Sequence, residues 1–317
     1  MNIIDFESCH IEPAVRIAKQ NYEEERGFVP ALPLVDTMPD MKPFADNGLG
    51  VAAFEEDTML GFLCAVGPFE NAFRSTNATG VFSPMGANGA IGKKCADIYA
   101  RMYQSAAEKW VRAGASSHAI CLYAHNEEVQ GKFFRYGFGI RCADAVRAVK
   151  EITTPARHEN DICELLPEEY QLIFPLNKLL IEHLHSSPSF MCYPSINDEQ
   201  LFKMVVSPNV RYFATIREKQ IIAYIKIANG GENFACDAPD MISICGAYCL
   251  PEYRGTGITK DLLSFVIEKL RSEGYARFGV DFETFNPPAC GFWTKYFTAY
   301  TYSVVRRIDE YAIGQRN

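Results

Sequence analysis

Apolar and polar positions along the chain form one series of patterns that runs through twice. In the first half, an amphipathic segment at 11–24 leads into residues 28–47. There Pro30, Pro33, Pro39 and Pro43 predict a long irregular loop holding at most one short helix. Strand-like runs at 51–54 and 60–66 flank the turn Glu55-Glu56-Asp57-Thr58, which is a hairpin signal. A glycine-rich stretch at 80–92 precedes a helix over 95–112, a strand at 118–123, a helix and turn at 126–138 and a closing strand at 140–149. The second half opens with a helix at 167–184 and a proline-containing loop at 186–195. A hairpin follows at 211–216 and 221–227, then a buried strand at 242–250. Ile258, Leu262, Leu263, Val266, Ile267 and Leu270 then recur at helical spacing, Gly274 ends that helix, and 277–282 reads as another strand.

The two runs superpose with nearly constant offsets. The hairpins differ by 162 residues (Phe54 to Ile216), the glycine loops by 168 (Gly89 to Gly257), and the asparagines after the next strand by 160 (Asn126 to Asn286). This spacing predicts two copies of one domain, 1–150 and 161–317, joined by the polar linker EITTPARHEN at 151–160.

The turn Arg254-Gly255-Thr256-Gly257 feeds the helix beginning at Ile258. The first N–H groups of a helix have no partner inside it, and the helix dipole is positive at that end. Such a turn is a site for phosphate oxygens, with Gly255 and Gly257 allowing close approach and Arg254 adding charge. It is neither a Walker loop nor the dinucleotide fingerprint.

The stretch resembles the pyrophosphate signature of the GNAT acetyltransferase superfamily, Q/R-x-x-G-x-G/A, with Arg254, Gly257 and Thr259 on its specified positions. Thr259 departs from the small residue expected last. The family's downstream N-x-x-A-x-x-x-Y is matched by Asn286 and Ala289, but Trp293 replaces the tyrosine that commonly protonates the leaving thiolate. The first copy keeps Asn126 and the closing Gly137-Phe138, with Phe133 at the tyrosine position. Its loop PMGANGAIGKK has Gly86 where arginine is expected and Ile91 where a small residue is expected. The resemblance implies an α/β (α+β) fold of two tandem GNAT-like domains, each a mixed, mostly antiparallel sheet flanked by helices. The N-terminal copy is then degenerate and the C-terminal copy better preserved.

Acetyl-CoA is the co-substrate so implied, held by Cys249, Leu250, Arg254, Gly255, Thr256, Gly257, Ile258, Thr259 and Asn286, with a primary amine of a small molecule as acceptor. An alkylamine must lose a proton before it attacks, so a carboxylate base would help. Asp281 and Glu283 share one face of their strand, which makes Glu283 the candidate base and Asp281 the substrate anchor. The alternative is that they end the strand in solvent. Tyr296 is the candidate acid, with Tyr300 and Tyr302 behind it, against plain core tyrosine or water in that role. Indole cannot serve, so Trp293 is excluded. His183 and His185 fall in the loop region that in the resembled fold shapes the acceptor pocket; a third ligand of metal-site spacing is missing, so they read as surface or pocket-lining histidines, and no metal is expected.

Composition narrows the partners. A net charge of −8 argues against a nucleic-acid partner, and no apolar run reaches membrane-spanning length. Eleven cysteines without a CxxC pair, and an N-terminus without signal-peptide character, lead to the expectation of a reducing cytoplasm, as monomer or homodimer. The rival reading is a non-catalytic acyl-CoA-binding or scaffold module.

Overall fold

The computed structural model describes residues 1–74, 76–152, 161–192 and 197–314. In chain order the first elements are β1 (Asn2–Asp5), α1 (Ile11–Phe28), α2 (Lys42–Asp46), β2 (Val51–Glu55), β3 (Thr58–Leu63) and β4 (Val66–Phe69). β5 (Gly80–Ser83), β6 (Asn88–Ala90), α3 (Cys95–Arg112), β7 (Ser117–Tyr123), α4 (Glu127–Arg135) and β8 (Gly139–Ala148) follow. Next are β9 (Asp161–Glu164), α5 (Phe174–His185), α6 (Asp198–Val205), β10 (Arg211–Arg217), β11 (Gln220–Ala228) and β12 (Met241–Cys249). The chain ends with α7 (Ile258–Ser272), β13 (Arg277–Glu283), α8 (Pro287–Trp293), β14 (Thr298–Arg307) and α9 (Glu310–Gly314). Mixed, mostly antiparallel sheets flanked by helices are the fold the family resemblance implies.

Two compact units divide these elements. The first comprises 1–144, 283–285 and 298–317, and the second 145–282 and 286–297. In the first unit β1, β2, β3 and β6 form an antiparallel sheet in that order. β5 lies parallel to β7, whose other edge is taken by antiparallel β14 from Thr301↔Tyr123 to Arg307↔Ser117. All but the last residue of β7 is buried, so its backbone needs partners on both edges, and the end of the chain supplies one. The compact units are therefore not two contiguous halves, and the strand at 298–307, placed by sequence in a 161–317 domain, belongs to the first. Of the expected linker, 153–160 lie outside the described residues. α3 packs over this unit's core, burying Tyr99, Met102, Tyr103 and Trp110 against Leu63, Ile120 and Phe133.

In the second unit the order is β13-β12-β11-β10-β9, antiparallel except for β12 beside β13. α7 buries Leu262, Leu263, Val266, Ile267 and Leu270, the stripe its spacing predicts. Arg211 on β10 reaches Glu164 on β9 at 2.7 Å and both oxygens of Glu273 beyond α7 at 2.7 and 2.8 Å.

The hairpins share their irregularity. Register shifts between Ala53 and Phe54 in one, and between Thr215 and Ile216 in the other. Counting from that point, Gly61 pairs with Ala90 and Ile91 N–H bonds Leu60 O, while Ala223 pairs with Cys249 and Leu250 N–H bonds Ile222 O. Ala90 thus stands where Cys249 stands. Gly89, opposite Phe62, matches Tyr248, opposite Tyr224, and is not the counterpart of Gly257. Its lack of a side chain has another cause. A Cβ there would lie 2.8 Å from Asn21 Oδ1 and 3.0 Å from Ile17 on α1.

Candidate active site

Parallel pairing of β12 with β13 covers only Met241–Ile244 against Arg277–Val280. Both strands continue past that point, so they part. The parting begins at a bulge, since Ile227 faces Ile244 and Lys226 faces Gly246, leaving Cys245 as the extra residue. Leu250 N–H bonds Ile222 O, and antiparallel ladders alternate, so the backbone groups of Ala247 and Cys249 face away from β11. They look into the gap, and Cys249 O there accepts from Arg254 Nε at 3.0 Å.

The turn that follows needs its glycines for their dihedral angles. Gly255 has φ +78° and Gly257, the N-cap of α7, has φ +99°. A Cβ on either would touch nothing within 4 Å, so the requirement is backbone conformation and not room. Asp261 N–H is the first to bond back, to Gly257 O at 3.0 Å. The N–H groups of Ile258, Thr259 and Lys260 point out of the helix end. A cavity of about 470 Å³ opens beside this turn, with Cys249, Arg254, Gly255 and Thr259 on one side. Asn286, Pro287, Phe292, Trp293 and Lys295 from the α8 region line the other side, and Leu180 and His183 of α5 also reach it.

Of the cofactor residues read from sequence, Cys249, Arg254, Gly255, Thr259 and Asn286 line this cavity, and Leu250, Thr256, Gly257 and Ile258 belong to the same turn without lining it. The proposed catalytic residues lie elsewhere. Asp281 is exposed on β13. Glu283 is in the first unit, 3.4 Å from Arg141 Nη2. Tyr296 packs on Phe292, and burial raises its phenol, with the Arg147 guanidinium opposing.

Two cavity residues were missed or undervalued. Tyr248 was read only as part of an apolar strand, yet it lines the cavity with the Arg254 guanidinium 5.3 Å from its ring centre. Burial raises its phenol above the usual value, and Arg254 pulls it back. His183 Nε2 lies 3.2 Å from Asn286 Oδ1, and its ring is 6.5 Å from that of Tyr248. A pairing across 103 residues carries no local signal. Trp293 is 6% exposed and packs on Phe292 and Phe297.

The matching gap in the first unit is filled. Asn21 of α1 donates Nδ2–H to Ala90 O at 3.0 Å and accepts Ala90 N–H on Oδ1 at 3.1 Å. Asn88 Nδ2 bonds Cys121 O, and Tyr99 OH donates to Asn88 Oδ1 at 2.8 Å. Fully buried Glu25 pairs with His125, on which Phe28 stacks at 4.5 Å. Only about 30 Å³ remains there.

Residues 178–298 match the Acetyltransferase (GNAT) family. The chain carries a GNAT acyltransferase domain. Members of that family transfer an acyl group from an acyl-CoA to an amine. A GCN5-related N-acetyltransferase from Sphaerobacter thermophilus shares its fold at 10% identity and TM-score 0.54, over 96% of this chain and 95% of that one. A GCN5-related glucosamine N-acetyltransferase region in a fungal multi-domain GH3 β-N-acetylglucosaminidase does so at 11% identity and TM-score 0.54, over 96% of this chain and 38% of that one. A GNAT-family acetyltransferase from Colwellia psychrerythraea aligns over 98% of this chain and all of its own, at 10% identity and TM-score 0.45. No curated protein matches this chain. Among the described residues no helix is long and apolar enough to cross a membrane, and no three His, Cys, Asp or Glu side chains gather as metal ligands.

Proposed function

We propose that the second unit transfers acetyl from acetyl-CoA to a primary amine of a small molecule, and that the first unit is a tandem GNAT copy that no longer takes cofactor. The gap between β12 and β13 carries this reading. Backbone groups of Ala247 and Cys249 face it, and one end opens on the N-terminus of α7. A pantetheine amide would bond the Cys249 backbone, and the phosphates would meet the N–H groups behind Gly257, with Arg254 and Lys295 as counter-charges. A cavity of about 470 Å³ is of the size that takes a small molecule. In the first unit Asn21 already holds the matching backbone groups.

Thiol release from acetyl-CoA, followed with polyamines, aminoglycosides and amino sugars as acceptors, tests the reading. Sustained release with at least one amine is expected. One observation favours a second reading, a non-catalytic acyl-CoA-binding module: Trp293 stands where the family commonly has its proton-donating tyrosine. Saturable acetyl-CoA binding without thiol release for any amine would decide for it.

A further inference from the structure

We propose that His183 and Tyr248 carry the protons of the transfer, His183 taking the proton of the acceptor ammonium and Tyr248 giving one to the departing sulfur. This rests on the acetyl-transfer reading above. The carboxylates Asp281 and Glu283 do not line the cavity, and Trp293 does but has no ionisable proton. Among the described residues the cavity lining offers an imidazole, a phenol and a thiol, those of His183, Tyr248 and Cys249; burial raises the thiol, and its Sγ–H is turned to Leu250 O at 3.6 Å, which leaves His183 and Tyr248. They approach from different elements, α5 and β12, with ring centres 6.5 Å apart.

Asn286 sets the direction. It is 7% exposed at the start of α8, and its Oδ1 lies 3.2 Å from His183 Nε2. A carbonyl oxygen only accepts, so the imidazole proton is on Nε2 and the Nδ1 lone pair is left to take a proton. Asn286 is then a positioning residue. Tyr248 faces the same side of the sheet as its pair partner Tyr224, whose OH accepts from Asn177 of α5, so it points toward the element that carries His183. Burial keeps its phenol protonated at neutral pH, and the guanidinium of Arg254 stabilises the phenolate formed when the proton leaves. Lys295 also lines the cavity, and the Glu182 carboxylate on α5 adds to the rise of the Tyr248 phenol.

The step balances. The acceptor ammonium gives one proton to His183 Nδ1, and its nitrogen forms the N–C bond to the acetyl carbon. The C–S bond breaks and the sulfur takes the Tyr248 proton. The attacking nitrogen loses its second proton to the Tyr248 phenolate, which restores the phenol, and His183 passes its proton to water, so the net product is one proton released.

The test compares methylamine, a small alkylamine protonated at neutral pH, with hydroxylamine, which is already neutral there. His183→Gln is expected to lower kcat for methylamine by about 10²-fold or more, while hydroxylamine turnover above the uncatalysed rate persists. Tyr248→Phe is expected to lower kcat for both amines about equally. Both variants are expected to keep the acetyl-CoA-induced rise in Tm. Wild-type rates with both amines in both variants would overturn the proposal. So would loss of the Tm rise in both, which would make the residues cofactor ligands. If the wild-type protein binds acetyl-CoA but releases no thiol with these two amines or with any of the polyamines, aminoglycosides and amino sugars, the acetyl-transfer reading itself falls, and this proposal with it.

Discussion

Gly257 offers the sharpest test of where the cofactor sits. Its φ of +99° means that any side chain strains the N-cap of α7, at about 1–2 kcal/mol. A Cβ would meet nothing within 4 Å, so Gly257→Ala adds strain without a clash. Gly257→Glu adds the same strain and places a carboxylate at the N–H groups of the helix end. Ligand at a hundred times its dissociation constant stabilises the wild-type protein by about 2.7 kcal/mol. For a unit of roughly 150 residues that is a Tm rise of about 5–10 °C. The expected outcome, read by scanning fluorimetry across an acetyl-CoA titration, is a lower starting Tm for both variants with the rise kept by Gly257→Ala and lost by Gly257→Glu. The control belongs at Gly92, in the loop before α3, where φ is +93° and a Cβ again meets nothing within 4 Å. Gly89→Glu is unsuitable, because its clash with Asn21 at 2.8 Å would disturb the first unit outright. A full rise in Gly257→Glu, or equal loss in Gly92→Glu, would refute a single cofactor site in the second unit.

Two further outcomes concern the first unit. Burial lowers His118 from 6.5 to about 4, so the unfolded chain takes up this proton first, and stability is full above about pH 6.5 and falls as pH drops toward 4. That difference is worth about 3 kcal/mol. Urea unfolding followed by Trp110 fluorescence in a Trp293→Phe background should show it, and an equally steep loss in His118→Phe would refute the assignment. Asn21→Leu leaves Ala90 N–H and C=O without their partner and should cost about 1–3 kcal/mol. Calorimetry should still find one acetyl-CoA per chain in that variant, and a stoichiometry of two would show that Asn21 alone closed the site.

Periodicity was enough to find the parts whose partners are near in sequence. The hairpin turns at 55–58 and 217–220, the α7 stripe and the left-handed Gly274 that ends α7 all follow from local sterics and one-sided burial. Pairings between distant segments were not legible. Nothing in 298–307 says that β7 is its neighbour, because a strand's pattern sets which face is buried and not which edge it meets. The glycine loops misaligned for a related reason. A glycine needed for close helix packing, Gly89, looks in sequence like one needed for a turn, Gly257. Tyr248 escaped, and His183 was placed near the acceptor pocket without a role, because their meaning is spatial. One sits in the last turn of a helix and the other in an apolar strand, and only the fold brings them to one cavity.

The fate of one backbone position supports the proposal that the second unit and not the first exchanges a ligand. Ala90 and Cys249 occupy the same place after their hairpins, and both turn their N–H and C=O away from the neighbouring strand. A carboxamide such as that of Asn21 has a donor and an acceptor side by side, so it satisfies both groups at once, as a pantetheine amide would, and it is tethered by a packed helix. Arg254 has donors only. It can hold Cys249 O, as it does at 3.0 Å, but it can never accept from Cys249 N–H. An incoming amide can therefore make one bond more at Cys249 than the arginine does. The displaced guanidinium lies in the turn that leads to the N-terminus of α7, where phosphate oxygens offer it the acceptors it prefers. In the first unit the same exchange would break two bonds to make two, with Asn21 left buried and unsatisfied on α1. The favourable balance lies with the second unit.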